Sequence, residues 1–323
     1  MDVQSVEALA QKIRNNVGAV IVGKRDVIDI VTAALIAGGH VLLEDVPGTG
    51  KTSLAKALAR SIGVPFKRVQ FTPDLLPSDL TGINYYNQKE NDFSFRPGPI
   101  FTNILLADEI NRATPRTQSS LLECMEERQI TIDGVSHNLS EPFFVIATEN
   151  PIETHGTFPL PEAELDRFLI KIKMGYPTIA EGKEIFERFR KENPLDTLRH
   201  VCAPDEIIAA RKISTGVEAT DDVQDYILRI AENTRKTDAI HLGVSPRGSL
   251  ALLTIARVFA AMHSRTFVTA DDIKSLAPVV LSHRIIPKDR VILRGGSNED
   301  IIRTVLDATA APVENFGADR KRG

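Results

Sequence analysis

The chain has 323 residues, of which 42% are hydrophobic and 25% are charged, and its net charge is −4. The composition is typical of a soluble globular protein, the length favours two domains, and the slight acidity argues against attraction to nucleic acid or anionic membranes. The two cysteines form no CxxC motif, the first residues lack signal-peptide character, and no apolar run reaches the ~18 residues that span a bilayer. We therefore expect a cytoplasmic protein with reduced thiols.

The first part of the chain predicts two helices followed by a strand and a third helix. Amphipathic patterns predict helices at 5–20 and 26–37, and an apolar strand follows at 41–44. A turn rich in proline and glycine comes next, and apolar residues then recur four apart from 54 to 62. Strand, glycine turn and helix N-terminus together form the anion site of a P-loop.

The turn itself has the residues of a phosphate-binding loop. Its glycines let the backbone N–H groups approach phosphate oxygens, Lys51 reaches the outer phosphates, and the Thr52 hydroxyl is placed to hold Mg²⁺. Asp45 stands where the strict pattern has glycine, but the remainder, which follows an apolar strand, is still specific against a chance surface turn. The predicted nucleotide-binding residues of the loop are Pro47, Gly48, Thr49, Gly50, Lys51, Thr52 and Ser53.

Two small hairpins are predicted outside the main strands. A second strand at 65–71 leads into an irregular, aromatic-rich stretch at 75–98, which favours an inserted hairpin. Asp133 and Gly134 lie between alternating runs, so that a second hairpin is predicted at 129–139.

Near-continuous apolar runs predict buried parallel strands at 100–109, 143–148 and 168–174. Asp108 and Glu109 end the first of these runs, at the edge of the sheet where ligands bind in open α/β folds. Asp108 can hold hydrated Mg²⁺ through water, and Glu109 can polarise an attacking water. A strand end that merely turns polar is the alternative.

Asn150 follows the next buried strand and would lie beside Asp108 if the two strands are neighbours. A neutral amide there can hydrogen-bond both water and the γ-phosphate without adding charge. An Asn-Pro turn is an equally good explanation of the same residue.

After Tyr176 and Pro177 helical patterns replace most strand signals. We place a domain boundary near 177–196 and predict a helical bundle beyond it. The predicted helices are at 181–191, 205–213, 221–234, 247–263, 270–281 and 298–309.

Five segments together resemble one known family. Residues 50–52, 108–112 and 147–151 resemble the Walker A, Walker B and sensor 1 segments of AAA+ ATPases, and 160–168 with 243–250 narrow the resemblance to the MoxR family. The fold that this implies is α/β, a P-loop AAA+ three-layer core with a parallel sheet over residues 1–177, followed by an all-α lid domain over 196–317. The stretch at 75–98 then resembles the helix-2 insert of this clade. The hairpin at 129–139 resembles its pre-sensor-1 hairpin.

The resemblance also assigns further site residues. It implies that Arg167 is an arginine finger and Arg247 a sensor 2 residue, and it adds Val22 and Gly23 to the nucleotide-binding residues. Glu149 stands where a neutral glutamine is more often expected.

Without the resemblance the two arginines are open to simpler explanations. Arg167 could merely pair with Glu162 or Asp166. Arg247 heads a helix, where a positive side chain gains nothing from the dipole, and it could be a surface arginine or a phosphate ligand.

The function that follows is ATP hydrolysis with Mg²⁺ between subunits of a homo-oligomeric ring, which we expect to be a hexamer. The resemblance implies that the output is chaperone-like remodelling, maturation or metal insertion of a partner protein. The chain has no Asp-x-Ser-x-Ser sequence, so an integrin-like von Willebrand A domain would be on another chain. The alternative is a nucleic-acid motor or loader, which the absence of lysine and arginine at 133–137 disfavours. HExxH and clustered Cys/His motifs are absent, so a transition metal is not expected.

Overall fold

The computed structural model describes residues 2–151, 156–190, 192–289 and 296–312. Within these ranges, five parallel strands form a central sheet and the remaining strands form three antiparallel pairs. The strands are β1 Val41–Glu44, β2 Phe66–Gln70, β3 Gly82–Asn87, β4 Asp92–Pro97, β5 Ile104–Asp108, β6 Gln129–Ile132, β7 Val135–Asn138, β8 Phe144–Glu149, β9 Ile170–Ile172, β10 Ile240–Leu242 and β11 Ile286–Pro287.

Helices cover the sheet and make up most of the second half of the chain. None of those within the described ranges combines the length and the apolar character needed to cross a bilayer. They are α1 Val3–Gly18, α2 Arg25–Ala37, α3 Lys51–Ile62, α4 Pro77–Thr81, α5 Pro115–Glu127, α6 Glu162–Leu165, α7 Ile179–Phe189, α8 Pro194–Thr197, α9 Pro204–Thr215, α10 Asp221–Lys236, α11 Pro246–Ala261, α12 Ala270–Leu281 and α13 Asn298–Ala308, with 3₁₀ turns at Ile110–Arg112 and Ser282–Arg284.

The order of the central sheet is β2-β5-β8-β1-β9. All five residues of β5 are buried, as a parallel strand covered on both faces requires. Because the strands are parallel, the segments that follow β1, β5 and β8 meet at one edge of the sheet, with β8 between the other two. The predicted α/β core with a parallel sheet, followed by a helical region, is confirmed.

The central strand β5 is shorter than predicted. The apolar run begins at Ile100, but the strand begins at Ile104, because the Ile100 amide donates to the carbonyl of Leu80 at 3.2 Å and ties this part of the run to α4. Hydrophobicity alone could not distinguish a buried loop from a buried strand.

Several helices of the helical half begin at a capping residue. The Thr220 and Ser245 side chains accept backbone N–H groups at the starts of α10 and α11, and Thr269 with Asp272 forms a capping box at α12. The pair β10–β11 was not predicted, because strands of three and two residues carry too little alternation to be recognised.

One apolar cluster includes residues of α1–α3 and β1 together with residues of α9–α12. The helical half therefore packs directly on the layer of helices that covers one face of the sheet. The division into a core and a lid near 177–196 remains a prediction.

The two hairpins, β3–β4 and β6–β7, contact each other. The Phe95 ring stacks on His137 with 4.4 Å between ring centroids, and Asn84 Nδ2 donates to Asp133 Oδ2 at 2.8 Å. Tyr86 and Phe93, which are in edge-to-face contact near the end of β3–β4, are 51% and 69% exposed. The hairpins form one unit with aromatic rings on its surface.

His40 connects three elements beneath the start of the sheet. Its Nδ1 accepts the amide of Val145 at 3.0 Å, so its Nε2–H donates to the carbonyl of Met125 at 3.0 Å. Burial lowers the pKa of His40 from 6.5 to about 4, because the charged ring would lie in an apolar interior and would lose its acceptor atom.

We expect the free energy of unfolding to fall as the pH decreases from 6.5 toward 4. In that window the unfolded chain binds a proton at His40 that the folded chain does not, so the stabilisation is complete above pH 6.5 and declines by about 3 kcal/mol at pH 4. Urea unfolding at pH 7, 6 and 5 measures this slope. His40→Asn should reduce the slope, whereas His241→Asn, at an exposed position, should preserve it. A His40→Asn variant with the wild-type slope would contradict the assignment.

Candidate functional site

The loop after β1 has the backbone geometry of a phosphate cradle. Gly48 and Gly50 have φ angles of 86° and 95°, which residues with a side chain rarely adopt. Gly50 is the N-cap of α3 and makes no side-chain capping bond, so the N–H groups of the first turn remain for an anion. Thr52 and Ser53 lie half-buried in this first turn.

Asp45, the departure from the strict loop pattern, connects the loop to the segment after β9. Its carboxylate accepts the Val46 amide at 2.8 Å on one oxygen and the Met174 and Gly175 amides at 2.9 and 2.8 Å on the other. The Asp45 carbonyl accepts from Lys51 Nζ at 2.7 Å, so the buried ammonium lies back across the loop. A carboxylate at this position therefore orders the loop rather than obstructing it.

A cavity of about 220 Å³ extends from the loop to an apolar wall. Gly48–Gly50 and Ser53 of the loop line it, and the apolar side chains beside them could hold a flat base. Of the two residues that the resemblance added to the nucleotide-binding set, Val22 lines this cavity and Gly23 does not. The apolar lining residues are Val20, Ile21, Val22, Met174, Ile185 and Phe189.

Asp108 lies at the end of β5 and is 9% exposed. Its Oδ1 accepts from the Thr148 hydroxyl at 2.7 Å, and its Oδ2 accepts from Arg68 Nη2 at 2.6 Å. Arg68 on β2 thus neutralises the carboxylate that was predicted to hold the metal.

Glu109 has a left-handed backbone, with φ of 57°. Its amide donates to the Thr148 hydroxyl at 2.8 Å, and its Oε2 accepts from Gln70 Nε2 at 2.6 Å. Arg112 Nη1 is 3.4 Å from the same oxygen. Because Gln70 is on β2, the Glu109 carboxylate is turned away from the side of β5 where β8 and β1 lie.

Asn150 is 4% exposed and follows β8, between the strands that end in the P-loop and in Asp108. The condition for its predicted place beside Asp108, neighbouring β5 and β8, is met. Burial raises the pKa of the preceding Glu149, and the like charge of Glu44 raises it further, while Lys171 opposes both.

Arg167 and Arg247 share one partner. Arg167 Nε is 3.1 Å from Glu126 Oε2, and Arg247 Nη2 is 3.1 Å from Glu126 Oε1. The simpler alternative, in which Arg167 pairs with Glu162 or Asp166, is not what the structure has: Arg167 bonds to Glu126, and Asp166 binds the buried Arg284 at 2.6 Å. Arg247 is 46% exposed and is held at the surface by this contact.

These arginines lie at the opposite edge of the sheet from the P-loop. Ile170, the first residue of β9, is opposite Val41, the first of β1, and the Leu169 amide donates to the His40 carbonyl at 2.8 Å. Arg167 therefore lies where the strands begin, whereas the P-loop follows Glu44, where β1 ends. The length of β1 alone separates them by about 10 Å, at ~3.3 Å per residue.

The sequence interpretation missed the polar side chains that support the predicted ones. Thr148 lies within the 147–151 segment but was assigned no role, and Arg68 and Gln70 are two residues apart on β2, a spacing that could have indicated one shared face. Glu126 had no local signal, because its partners are distant in sequence.

The donor atoms at the P-loop edge fit Mg²⁺. The Thr52 hydroxyl and the Asp108 carboxylate are hard oxygen donors, and Mg²⁺ is usually held by one or two carboxylates together with substrate phosphates. Within the described part of the chain, no group of three or more His, Cys, Asp or Glu side chains could hold a metal without such a substrate.

Comparisons with known proteins agree with this arrangement. Residues 40–170 match the model of the ATPase family associated with various cellular activities (AAA), and residues 232–305 match the AAA lid domain. The fold and the site therefore define an AAA+ ATPase. The chain is 38% identical to Chaperone MoxR1 of Mycobacterium tuberculosis over 92% of its length and 80% of that protein. It belongs to the MoxR family, as the resemblance predicted.

Two further relatives cover nearly the whole chain. An uncharacterized protein of Bacillus subtilis, YeaC, is 49% identical over 96% of this chain and 97% of its own. The crystal structure of a presumed ATPase from Cytophaga hutchinsonii superposes with a TM-score of 0.88 at 35% identity, covering 96% of this chain and 98% of the other.

Proposed function

We propose that this MoxR-type AAA+ ATPase binds ATP with Mg²⁺ and hydrolyses it between subunits of a homo-oligomeric ring, a hexamer. Turnover drives chaperone-like remodelling, maturation or metal insertion of a partner protein.

The observation that carries this proposal is the separation of the two halves of the site. The P-loop, Asp108 and Asn150 are at the edge where the strands end, and Arg167 and Arg247 are at the edge where they begin. An arginine that stabilises the transferring phosphoryl group must contact it, so the arginines of one chain serve the nucleotide of another. Turnover then requires assembly, and a closed ring supplies every site with both halves.

Each residue at the P-loop edge has a distinct role in this proposal. Lys51 exchanges its bond to the Asp45 carbonyl for bonds to the outer phosphates, and Thr52 and Asp108 would hold Mg²⁺, which when bound neutralises the charge on the phosphates and on the leaving ADP. The Glu109 carboxylate breaks its hydrogen bond with Gln70 and orients the attacking water. Asn150 hydrogen-bonds that water and the γ-phosphate.

The joined hairpins support a protein client rather than a nucleic acid. Tyr86 and Phe93 are exposed apolar rings, and the β6–β7 turn carries Asp133 instead of the basic side chains that bind phosphates. We propose that this unit contacts the client, and that a von Willebrand A domain on a separate chain is a partner.

The proposal is tested at the phosphate cradle. Lys51→Ala should weaken binding of a fluorescent ATP analogue by about 10- to 100-fold, because a hydrogen bond to a charged group contributes ~1.5–3 kcal/mol. Fluorescence anisotropy with MgCl₂ present measures the dissociation constant.

Lys56→Ala provides the control, since Lys56 is on the same helix with an exposed side chain. It should bind the analogue as the wild type does. Equal binding by Lys51→Ala and the wild type would disprove the P-loop assignment.

A further inference from the structure

Glu126 is bonded to both Arg167 and Arg247. Each of its oxygens contacts a different guanidinium, at 3.1 Å in both cases. Arg167 comes from the sheet-containing half and Arg247 from the helical half, so this side chain connects the two halves of the subunit.

The position of Glu126 on its own helix does not explain its presence. It lies in the last turn of α5, where the negative end of the helix dipole disfavours a carboxylate. Arg247 is in the first turn of α11, where the positive end disfavours a cation. Each of these two charges is unfavourable at its own helix end, and the ion pair between Glu126 and Arg247 compensates for both.

A third guanidinium lies beside the pair. Arg284 is bonded to Asp166 at 2.6 Å, so Asp166 is already engaged. Burial lowers the pKa of Arg284 and the positive charge of Arg247 lowers it further, while Asp166 raises it, which places the two guanidiniums within electrostatic range. Within these ion pairs three arginines share two carboxylates, so a guanidinium can be offered to a phosphate.

We infer that Glu126 is a positioning residue, which holds Arg167 and Arg247 together as one cationic unit directed at the nucleotide of a neighbouring subunit. The inference rests on the proposed function. Without the carboxylate the two guanidiniums repel each other and separate, so the phosphate meets two independent side chains instead of a preorganised pair.

The test compares Glu126→Ala and Glu126→Gln with Glu126→Asp, which keeps the charge on a shorter side chain. At saturating ATP, kcat per assembled subunit should fall by about 10²-fold for the first two variants, the effect of misplacing a reacting group by ~1 Å. ATP binding should not change, since Glu126 is at the opposite edge from the P-loop, and Glu126→Asp should recover part of kcat. The control is Glu127→Ala, an exposed carboxylate in the same turn, which should retain wild-type kcat.

Two further measurements separate positioning from a structural role. Glu126→Ala should add no further loss to an Arg167→Ala/Arg247→Ala double variant. Mixed with Lys51→Ala, it should recover activity, because some interfaces then combine an intact P-loop with a neighbour's intact arginines. If Glu126→Ala has an altered melting temperature, Glu126→Gln, which keeps the side-chain shape, replaces it in both measurements.

Wild-type kcat in Glu126→Gln, or an additive loss in the triple variant, would overturn the inference. Neither outcome touches the proposed function, because that depends on the weakened ATP binding of Lys51→Ala. A Lys51→Ala protein that binds ATP as tightly as the wild type would instead remove the proposed function and this inference together.

Discussion

Arg167→Ala is expected to bind ATP normally and to lose ~10³–10⁵-fold in turnover, the contribution of an arginine finger in other NTPases. Mg²⁺ and the P-loop lysine leave negative charge on the transferring phosphoryl oxygens, and Arg167 is too far from its own P-loop to neutralise it. Turnover per chain should therefore rise with protein concentration as subunits assemble. Phosphate release measured over a dilution series, beside sedimentation velocity, tests both statements.

Mixing makes this test specific. Arg167→Ala protein and Lys51→Ala protein are each expected to be inactive alone. When the two are mixed, activity should return at interfaces between an intact P-loop in one subunit and an intact Arg167 in its neighbour. Arg229→Ala, an exposed arginine on α10, is the control and should behave as the wild type. Concentration-independent turnover by a monomer would make Arg167 structural. Co-assembled mixtures without recovery would instead assign the role to another arginine, with Arg112, Arg116 and Arg247 tested next.

Glu109→Gln is expected to bind ATP and to hydrolyse it ~10²–10⁴-fold more slowly, the usual contribution of a positioned general base. Glutamine keeps the side-chain shape, and the bond from the residue 109 amide to Thr148 is unchanged, so Asp108 and its partners stay in place. The variant should therefore accumulate as an ATP-bound assembly.

Single-turnover hydrolysis and sedimentation with ATP measure the two effects of Glu109→Gln. Glu127→Gln, exposed at the end of α5, is the matched control and should keep wild-type turnover. Near-normal hydrolysis by Glu109→Gln would show that another group orients the water.

Much of the fold was predictable because its signals are local. The P-loop is contiguous with an apolar strand and a helix of regular spacing, and the starts of α10 and α12 carry their own capping residues. The polar edge of the sheet was also predictable, because parallel strands bring their ends together wherever they occur in the chain.

The side-chain partners that could not be predicted from the sequence depend on contacts between distant segments. Three of the five residues before Arg167 are acidic, yet Arg167 bonds to the distant Glu126, and Asp166 is bonded to Arg284 from the helical half. Similarly, the partner of Glu109 is Gln70, on a strand whose place beside β5 only the sheet order reveals.

The contact between His137 and Phe95 has a mechanical consequence. The β6–β7 hairpin follows α5 after the single residue Arg128, and the stacked rings join it to the β3–β4 hairpin. The N-terminal end of α5 is close in sequence to Glu109, and its last turn holds Glu126. Because a helix resists bending and stretching, we expect a load applied to the exposed rings to pass along α5, toward Glu109 at one end and to Glu126 at the other.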